Sequence, residues 1–345
     1  MSGYEDIRNV LNSFEDTQSK LIFEKRLMYS LSRDYKYIDE MVISEMNRYG
    51  KDDIMMQLLN WIYDKPVWIF GAGFVGHQIV HILMLKGIKI CGVIDNDISK
   101  WGEKVFDIEI NSPEKIKEND YVIIGTNACR IEIKNQLIGI GINQDHIFVP
   151  DKQWWLGRDC QYYDRDLIKL KEQEAFVDGG SLDGGDSINF IEWCNGLYDK
   201  IYAFEPDKNN VLKLKRTTEK LRDFYIIEKG MWSNSKKLKF SSGKSENSHI
   251  SVDGNIEIDV ISIDEVLDGK PVTYIKMDIE GSEMEALIGA EQTIKKYRPR
   301  LAICVYHKPE DIIEIPKKIL EINSDYKLYL RHYSYVDTET VLYAI

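Results

Sequence analysis

The sequence FVDGGSLDGGDS, residues 176–187, is the stretch that decides the fold. It begins at the end of one apolar run and opens an alternation of predicted strands and helices, in which the strands are AFVDGG, KIYAFEP, FYIIEKGMW, VTYIKMD and LAICVY. Strands that alternate with helices predict a parallel sheet with crossover connections. The chain ends in DYKLYLRHYSYVDTETVLYAI, two apolar runs joined by a short polar turn, which predicts an antiparallel hairpin. We therefore predict an α/β domain with a parallel sheet that ends in an antiparallel hairpin.

The same glycine-rich loop is acidic, because it contains Asp178, Asp183 and Asp186. A pyrophosphate would be repelled there, since each like-charge contact at 4 Å costs about 1 kcal/mol in water and about 4 kcal/mol at an effective dielectric of 20. S-adenosylmethionine carries a sulfonium and an ammonium and no phosphate, so the sign of the loop favours it over NAD. Glu205 ends the next strand, where a carboxylate can accept hydrogen bonds from both ribose hydroxyls. The alternative is that the aspartates only cap helices or face solvent.

A second glycine loop, GAGFVG, contains Gly71, Gly73 and Gly76. It follows a predicted strand and opens a helix, which is the context of a dinucleotide fingerprint, and Asp95 ends the next strand where a ribose-binding acid is expected. The alternative is a loop that serves only tight packing between strand and helix. The sequence leaves both open.

These patterns predict four segments in the 345-residue chain. Residues 1–64 have helical spacing of apolar residues, residues 65–150 form a small Rossmann-like domain, residues 151–174 form a connector, and residues 175–345 form the cofactor-binding α/β domain.

Composition restricts the function further. The net charge of −12 argues against a general nucleic-acid binder, which needs Lys and Arg to displace counterions from phosphates. The start MSGYEDIRN does not resemble a secretory signal, and no apolar run approaches the roughly 18 residues of a membrane span. Five cysteines without a CxxC fit reduced thiols in a cytosol. We therefore predict a cytoplasmic protein.

Residues 175–333 resemble the FkbM family of S-adenosylmethionine-dependent methyltransferases. The matching stretches are FVDGGSLDGGDS, YAFEPD, ISIDEVL, YIKMDIEGSEMEALIGAEQTI and RPRLAICVYHKPEDI, of which IKMDIEGSEMEALIGAE is the most specific. The resemblance implies a class I methyltransferase domain with a Rossmann-like fold, which agrees with the predicted order of strands. It also implies methyl transfer to an oxygen atom, typically on a sugar or a secondary metabolite.

The resemblance also implies roles for residues at the matching positions. It assigns the methionine end of the cofactor to Asp178, Gly179, Gly180, Ser181, Asp183 and Gly184, the ribose to Glu205, the adenine to Gly230 and Met231, and the methyl-transfer centre to Asp278.

The candidate catalytic residues are Asp278, Glu280 and His307, which follow the fourth and fifth strands of this domain. His307 is the predicted base for an alcohol acceptor, because an unperturbed imidazole titrates near neutral pH, and its alternative is a structural or capping histidine. Glu283 is interpreted as a first-turn acid of the next helix. Asp278, Glu280 and His307 could also ligate Mg²⁺, but no ligand spacing is fixed, so the sequence does not favour a metal.

We therefore predict an S-adenosylmethionine-dependent O-methyltransferase whose partner is a small-molecule or glycan acceptor, with homo-oligomerisation left open. Arg331, His332 and Trp154–Trp155 are weighed as residues of an acceptor pocket against ordinary core positions. Two alternatives remain: an NAD(P)-dependent or nucleotide-sugar-modifying enzyme that uses GAGFVG, and a non-catalytic nucleotide-binding scaffold.

Overall fold

The computed structural model describes residues 3–49, 53–127, 129–150, 160–241, 249–250, 254 and 256–345. Its helices are α1 (Tyr4–Ser13), α2 (Thr17–Ser32), α3 (Lys36–Tyr49), α4 (Asp53–Ile62), α5 (Phe74–Leu85), α6 (Arg130–Gly139), α7 (Gly185–Trp193), α8 (Lys208–Thr218), α9 (Ile263–Leu267), α10 (Glu283–Ile288), α11 (Glu291–Tyr297) and α12 (Asp311–Ile322).

Its strands are β1 (Val67–Phe70), β2 (Ile90–Ile94), β3 (Lys104–Val105), β4 (Ile108–Asn111), β5 (Tyr121–Ile124), β6 (Ile147–Phe148), β7 (Glu174–Gly179), β8 (Tyr198–Phe204), β9 (Phe224–Ile227), β10 (Gly230–Met231), β11 (Lys236–Ser241), β12 (His249–Ile250), β13 (Ile256–Ile261), β14 (Tyr274–Met277), β15 (Arg300–Cys304), β16 (Leu328–His332) and β17 (Thr340–Ala344).

The chain divides into two compact units whose boundaries differ from the predicted segments. The first unit contains residues 1–34, 160–331 and 339–345, and the second contains residues 35–159 and 332–338. The helical N-terminal segment is thus shared between the units, and so is the C-terminal hairpin, whose tip belongs to the second unit.

The first unit is built on a seven-stranded sheet of order β16-β17-β15-β14-β7-β8-β9. Neighbouring strands from β15 to β9 are parallel, whereas β17 pairs antiparallel with β15. Its central strands are buried on both faces, as expected of strands that are covered by helices on each side. The predicted fold class, a parallel sheet that ends in an antiparallel hairpin, is confirmed.

One predicted strand is wrong in its extent. The run FYIIEKGMW forms two strands in different sheets, because the chain leaves the large sheet after β9. The short β10 instead pairs with β13 in a four-stranded sheet of order β10-β13-β11-β12, which the sequence analysis did not anticipate. Alternate exposed and buried residues on β11 and β13 fit a small sheet with only one covered face.

The second unit contains a six-stranded sheet of order β3-β4-β2-β1-β5-β6, with parallel pairing from β4 to β6. The glycine loop GAGFVG connects β1 to α5 in this unit. Among the helices that the structure describes, none is both long enough and apolar enough to cross a membrane.

Candidate functional site

The loop after β7 has a backbone that requires glycine at two positions. Gly180 has a φ of +72°, and a Cβ built there would lie 1.9 Å from the carbonyl oxygen of Asp278. Gly184 has a φ of +91° and is the N-cap of α7. The backbone N–H of Asp278 donates to Gly179 at 3.2 Å, and that of Ser181 donates to the end of β8 at 3.1 Å. The loop therefore lies tightly against the carboxyl ends of β14 and β8.

The charge of this loop differs from the sequence-based expectation, because Lys276 on β14 supplies a buried counter-ion. Its Nζ lies 3.2 Å from Asp178 Oδ1 and 2.8 Å from Asp186 Oδ2, and the lysine side chain is only 1% exposed. Burial alone would lower the pKa of Lys276, but the two aspartates raise it well above its ordinary value, so the lysine remains charged. Asp178 and Asp186 are therefore not an uncompensated acidic site for a cationic ligand, contrary to the expectation from the sequence.

The loop residues predicted to bind a cofactor have different local environments. Asp178 is buried and also accepts a hydrogen bond from Ser187 at 2.6 Å, so its carboxylate stabilises the loop from the interior of the protein. Asp183 is exposed and accepts a hydrogen bond from the N–H of Gly185 at 3.1 Å, which is a local capping contact. Ser181 is buried, and its hydroxyl donates to the carbonyl of Asp178 at 2.9 Å. Asp178 and Ser181 are therefore used to hold the loop, whereas the backbone groups of the loop and the exposed carboxylate of Asp183 can reach a ligand.

Glu205 follows β8 and lies beside the loop, as predicted. Its two carboxylate oxygens accept hydrogen bonds from the backbone N–H groups of Leu182 at 2.9 Å and Asp207 at 2.8 Å. A carboxylate has about four acceptor positions, so Glu205 can still accept a hydrogen bond from a hydroxyl. Burial raises the pKa of Glu205 to about 7, although the two backbone hydrogen bonds act in the opposite direction.

Gly230 and Met231 form the short strand β10, and both are buried. A Cβ built on Gly179 would lie 2.7 Å from Met231 Sδ, so the methionine packs directly against the loop backbone. This places an apolar, polarisable side chain beside the glycine loop. Contact of these two residues with an adenine stays a prediction.

Asp278 follows β14 and lies among phenol groups that the sequence analysis did not bring together. Tyr162 donates a hydrogen bond to Asp278 Oδ2 at 2.8 Å, and Tyr306 donates to Oδ1 at 3.4 Å. Burial raises the pKa of Asp278, but His307 and Lys276 outweigh it and hold the pKa below its ordinary value. Asp278 is therefore an ionised carboxylate with two phenol donors. Tyr162 is 116 residues away in sequence, and no local pattern identifies it.

A second carboxylate belongs to the same group of side chains. The Tyr306 hydroxyl also lies 3.4 Å from Glu339 Oε1, so its single proton is shared between Asp278 and Glu339, and Gln161 donates to Glu339 Oε2 at 2.5 Å. This network places hydroxyl, amide and carboxylate groups beside Asp278. Such groups are suited to a polar, hydroxylated acceptor.

His307 follows β15 and lies among three carboxylates. Its Nδ1 is 2.8 Å from Glu283 Oε1, and its Nε2 is 3.5 Å from Asp278 Oδ1 and 3.6 Å from Glu280 Oε2. Burial lowers the pKa of His307, but these carboxylates, Glu283 most of all, raise it to about 10. The predicted role as a general base at neutral pH does not fit this pKa, because an imidazolium cannot accept a proton. Glu283 is likewise more than a first-turn acid, since it contacts the imidazole directly.

The loop GAGFVG in the second unit is largely explained by packing. A Cβ on Gly76 would lie 1.9 Å from the carbonyl oxygen of Gly71, whereas a Cβ on the exposed Gly73 would meet nothing within 4 Å. Asp95 accepts hydrogen bonds from the N–H of Ala72 at 2.8 Å and that of Asp97 at 2.9 Å. It also pairs with a lysine, so its carboxylate is already used locally.

Of the four residues considered for an acceptor pocket, two are buried in the structure and two lie outside the described residues. Arg331 lies in an ion pair with Asp16, with Nη2 2.6 Å from Oδ2, which is a structural contact. His332 is buried in the second unit. Trp154 and Trp155 lie outside the described residues.

Comparisons with known proteins match the two parts of the chain to different families. Residues 178–336 match the family described as the methyltransferase FkbM domain, and residues 62–148 match the family described as C2185-like, N-terminal. The structure is similar to the crystal structure of a methyltransferase FkbM from Methylobacillus flagellatus KT, with a TM-score of 0.50 and 18% identity over 90% of this chain and 100% of that chain. At this identity the similarity concerns the fold.

Two further similarities are partial. An rRNA methylase from Streptococcus thermophilus has a TM-score of 0.36 and 15% identity over 55% of this chain and 93% of that chain. A redox-sensing transcriptional repressor Rex from Pelotomaculum thermopropionicum is 29% identical over 98 residues, or 25% of this chain. That match spans 44% of the length of the repressor, which is less than half of it.

Proposed function

Residues 178–336 belong to the FkbM methyltransferase family, and on that premise we propose that the protein is an S-adenosylmethionine-dependent O-methyltransferase. The proposed acceptor is a hydroxyl of a sugar, a glycan precursor or a secondary metabolite. The observation that carries the proposal is the meeting of the glycine loop, Glu205 and Asp278 at one edge of the large sheet. Ligands of open α/β sheets bind at this edge, outside the carboxyl ends of the strands.

The residues at this edge fit the proposed cofactor. Glu205 offers carboxylate lone pairs to a ribose diol, while Met231 offers an apolar surface to a flat ring. Asp278 is an ionised carboxylate that can pair with an ammonium or a sulfonium group. The attraction for a cation therefore comes from Asp278 rather than from Asp178, whose charge Lys276 compensates.

When bound, the cofactor supplies an electrophilic methyl group. The contribution of the protein is to hold an acceptor hydroxyl in line with that group, and positioning of this kind is worth roughly 7–11 kcal/mol. Asp278 can accept the hydrogen bond of such a hydroxyl, and the phenols of Tyr162 and Tyr306, which donate to Asp278, hold this carboxylate in place. In this proposal Asp278 accepts the hydrogen bond of the acceptor hydroxyl and takes its proton as the O–CH3 bond forms and the bond from the methyl group to sulfur breaks, which is the role of base first predicted for His307.

Calorimetry with S-adenosylhomocysteine and with NAD tests the cofactor. We expect the first to bind, and Glu205→Gln to weaken its binding by about ten- to a hundredfold, because a hydrogen bond to a charged group is worth about 1.5–3 kcal/mol. Glu192→Gln changes an exposed acid on α7 and is the matched control. Absence of S-adenosylhomocysteine binding would refute the proposal.

A methyl-transfer screen with labelled cofactor tests the acceptor class. Nucleotide sugars and glycan fragments are the first substrates to try, and fragmentation of the product would show whether the methyl group is on oxygen. Transfer only to nitrogen or carbon would contradict the proposed O-methylation.

A nucleotide site in the second unit is a second candidate, and Gly73 is the observation that favours it. Neither a positive φ nor a close neighbour explains a glycine at this exposed position before α5. Calorimetry with NADH and ADP on the wild type and on Gly73→Val would test it, and equal affinities would exclude the loop as the site.

A further inference from the structure

Three side chains from different elements meet near the carboxyl ends of β14 and β15. Asp278, Glu283 and His307 each place one potential ligand atom within 4.8 Å of the other two. The turn between β14 and α10 makes this possible, because Glu280 and Gly281 both have positive φ angles, of 54° and 88°, and reverse the chain. Two carboxylates and an imidazole are thereby brought together from positions up to 29 residues apart in sequence.

The buried members of this cluster have unused hydrogen-bonding capacity. Glu283 is 0% exposed, and within the described residues no hydrogen-bond partner reaches its Oε2. The His307 ring is 9% exposed, and its two nitrogens face carboxylate oxygens without an aligned hydrogen bond in the described part of the chain. Buried polar atoms normally have partners, so atoms of this kind point to a missing ligand.

The charges around His307 also leave a surplus of negative charge. Asp278, Glu280 and Glu283 contribute three carboxylates against one imidazole. Lys276, which lies near Asp278, is already shared between two other aspartates. Glu283 is fully buried while Asp278 and Glu280 are partly exposed, so the repulsion is felt most at Glu283, where a further cation would stabilise the group.

We propose that Asp278, Glu283 and His307 bind a divalent cation of the Mn²⁺ or Mg²⁺ class. A donor set with two carboxylate oxygens suits these hard ions, and the imidazole favours Mn²⁺ over Mg²⁺. Three protein ligands leave coordination positions free. The role of the ion rests on the proposed function: at this edge of the sheet it would bind the acceptor hydroxyl and polarise it. The rival explanation is a protonated His307 that balances the carboxylates without a metal.

The test uses Mn²⁺ alone, because its electron paramagnetic resonance signal separates free from bound ion. We expect the full chain to bind about one Mn²⁺ saturably and Glu283→Gln to lose about tenfold or more in affinity. Glu285→Gln removes the same charge two positions further along α10 and should bind as the wild type does. His307→Gln is the second variant and should lose affinity to a similar extent, in case Glu283→Gln fails to fold.

The outcomes separate this site from the proposed function. The metal site is overturned if no saturable Mn²⁺ binding is found, or if Glu283→Gln or His307→Gln binds as tightly as Glu285→Gln. Binding of S-adenosylhomocysteine, measured on the same preparations, then shows whether the cofactor assignment survives alone. Retained Mn²⁺ binding without any affinity for S-adenosylhomocysteine would support the metal site and refute the proposed function.

Discussion

Lys276 and the two aspartates that it contacts form a buried charge cluster beneath the glycine loop. The lysine Nζ also donates to the carbonyls of Gly179 at 3.2 Å and Gly180 at 3.1 Å, so one ammonium holds both the side chains and the backbone of the turn. Its position on the central strand β14 makes it a rigid support. The shape of the loop therefore depends on a residue that lies 98 positions away from Asp178 in sequence.

Lys276→Met should lower the free energy of unfolding by about 3–5 kcal/mol, because it leaves Asp178 as an unpaired buried charge. Urea denaturation at neutral pH would measure the change. Lys295→Met, which removes an exposed lysine that pairs with Glu291 on α11, should cost less than about 1 kcal/mol. Equal effects of the two substitutions would mean that the buried cluster contributes no more than a surface pair.

At the scale of elements, Asp16 connects the N-terminal helices to the large sheet. It is the N-cap of α2, where its Oδ1 accepts the N–H of Ser19 at 2.7 Å, and its Oδ2 pairs with the buried Arg331 of β16. The Ser19 hydroxyl accepts the N–H of Leu330 on the same strand at 2.9 Å. One carboxylate thus satisfies a helix terminus and a buried guanidinium together.

Asp16→Ala should destabilise the protein by about 3 kcal/mol, since it removes a helix cap worth about 1 kcal/mol and leaves a buried arginine without its partner. Asp16→Asn retains a capping oxygen and should lose less. Thermal and urea unfolding of both variants would give the difference. The neighbouring substitution Glu15→Ala affects an exposed acid and serves as the control, and an equally large loss there would contradict the assignment.

The sequence was sufficient for those elements whose signals are local. The strand ends at Asp178, Glu205 and Asp278 were predicted because apolar runs stop there, and parallel pairing brings such ends to one edge. The four-stranded sheet that contains β10 and β13 is not predicted, since β10 has only two residues and the longer strands β11 and β13 are half polar. Lys276 and Tyr162 were missed because their partners lie about a hundred residues away and only the tertiary fold brings them together.

At the scale of the whole molecule, ionisation of Glu205 has opposite effects on folding and on binding. It lowers the stability of the free protein, and it should raise the affinity for the ligand. Burial raises its pKa from the ordinary 4.5 to about 7. The protonated acid is therefore the form that the fold prefers, and its contribution is fully present below pH 4.5 and is lost as the pH rises through 7. The shift corresponds to about 3 kcal/mol of folding free energy. A ribose diol, by contrast, should be bound best by the ionised carboxylate.

We therefore expect the affinity for S-adenosylhomocysteine to rise about tenfold between pH 6 and pH 8, while the stability of the free protein falls relative to Glu205→Gln. Calorimetry at a series of pH values measures the first effect, and urea denaturation of both proteins between pH 4.5 and pH 8 measures the second. Other titrating groups cancel in the comparison with the variant, whose weaker affinity should be independent of pH over this range. A wild-type affinity that does not change with pH, together with a constant stability difference, would show that Glu205 stays ionised throughout. In that case Glu205 would hold the loop as a carboxylate, and its ionisation would change neither the stability of the free protein nor its affinity for the ligand over this pH range.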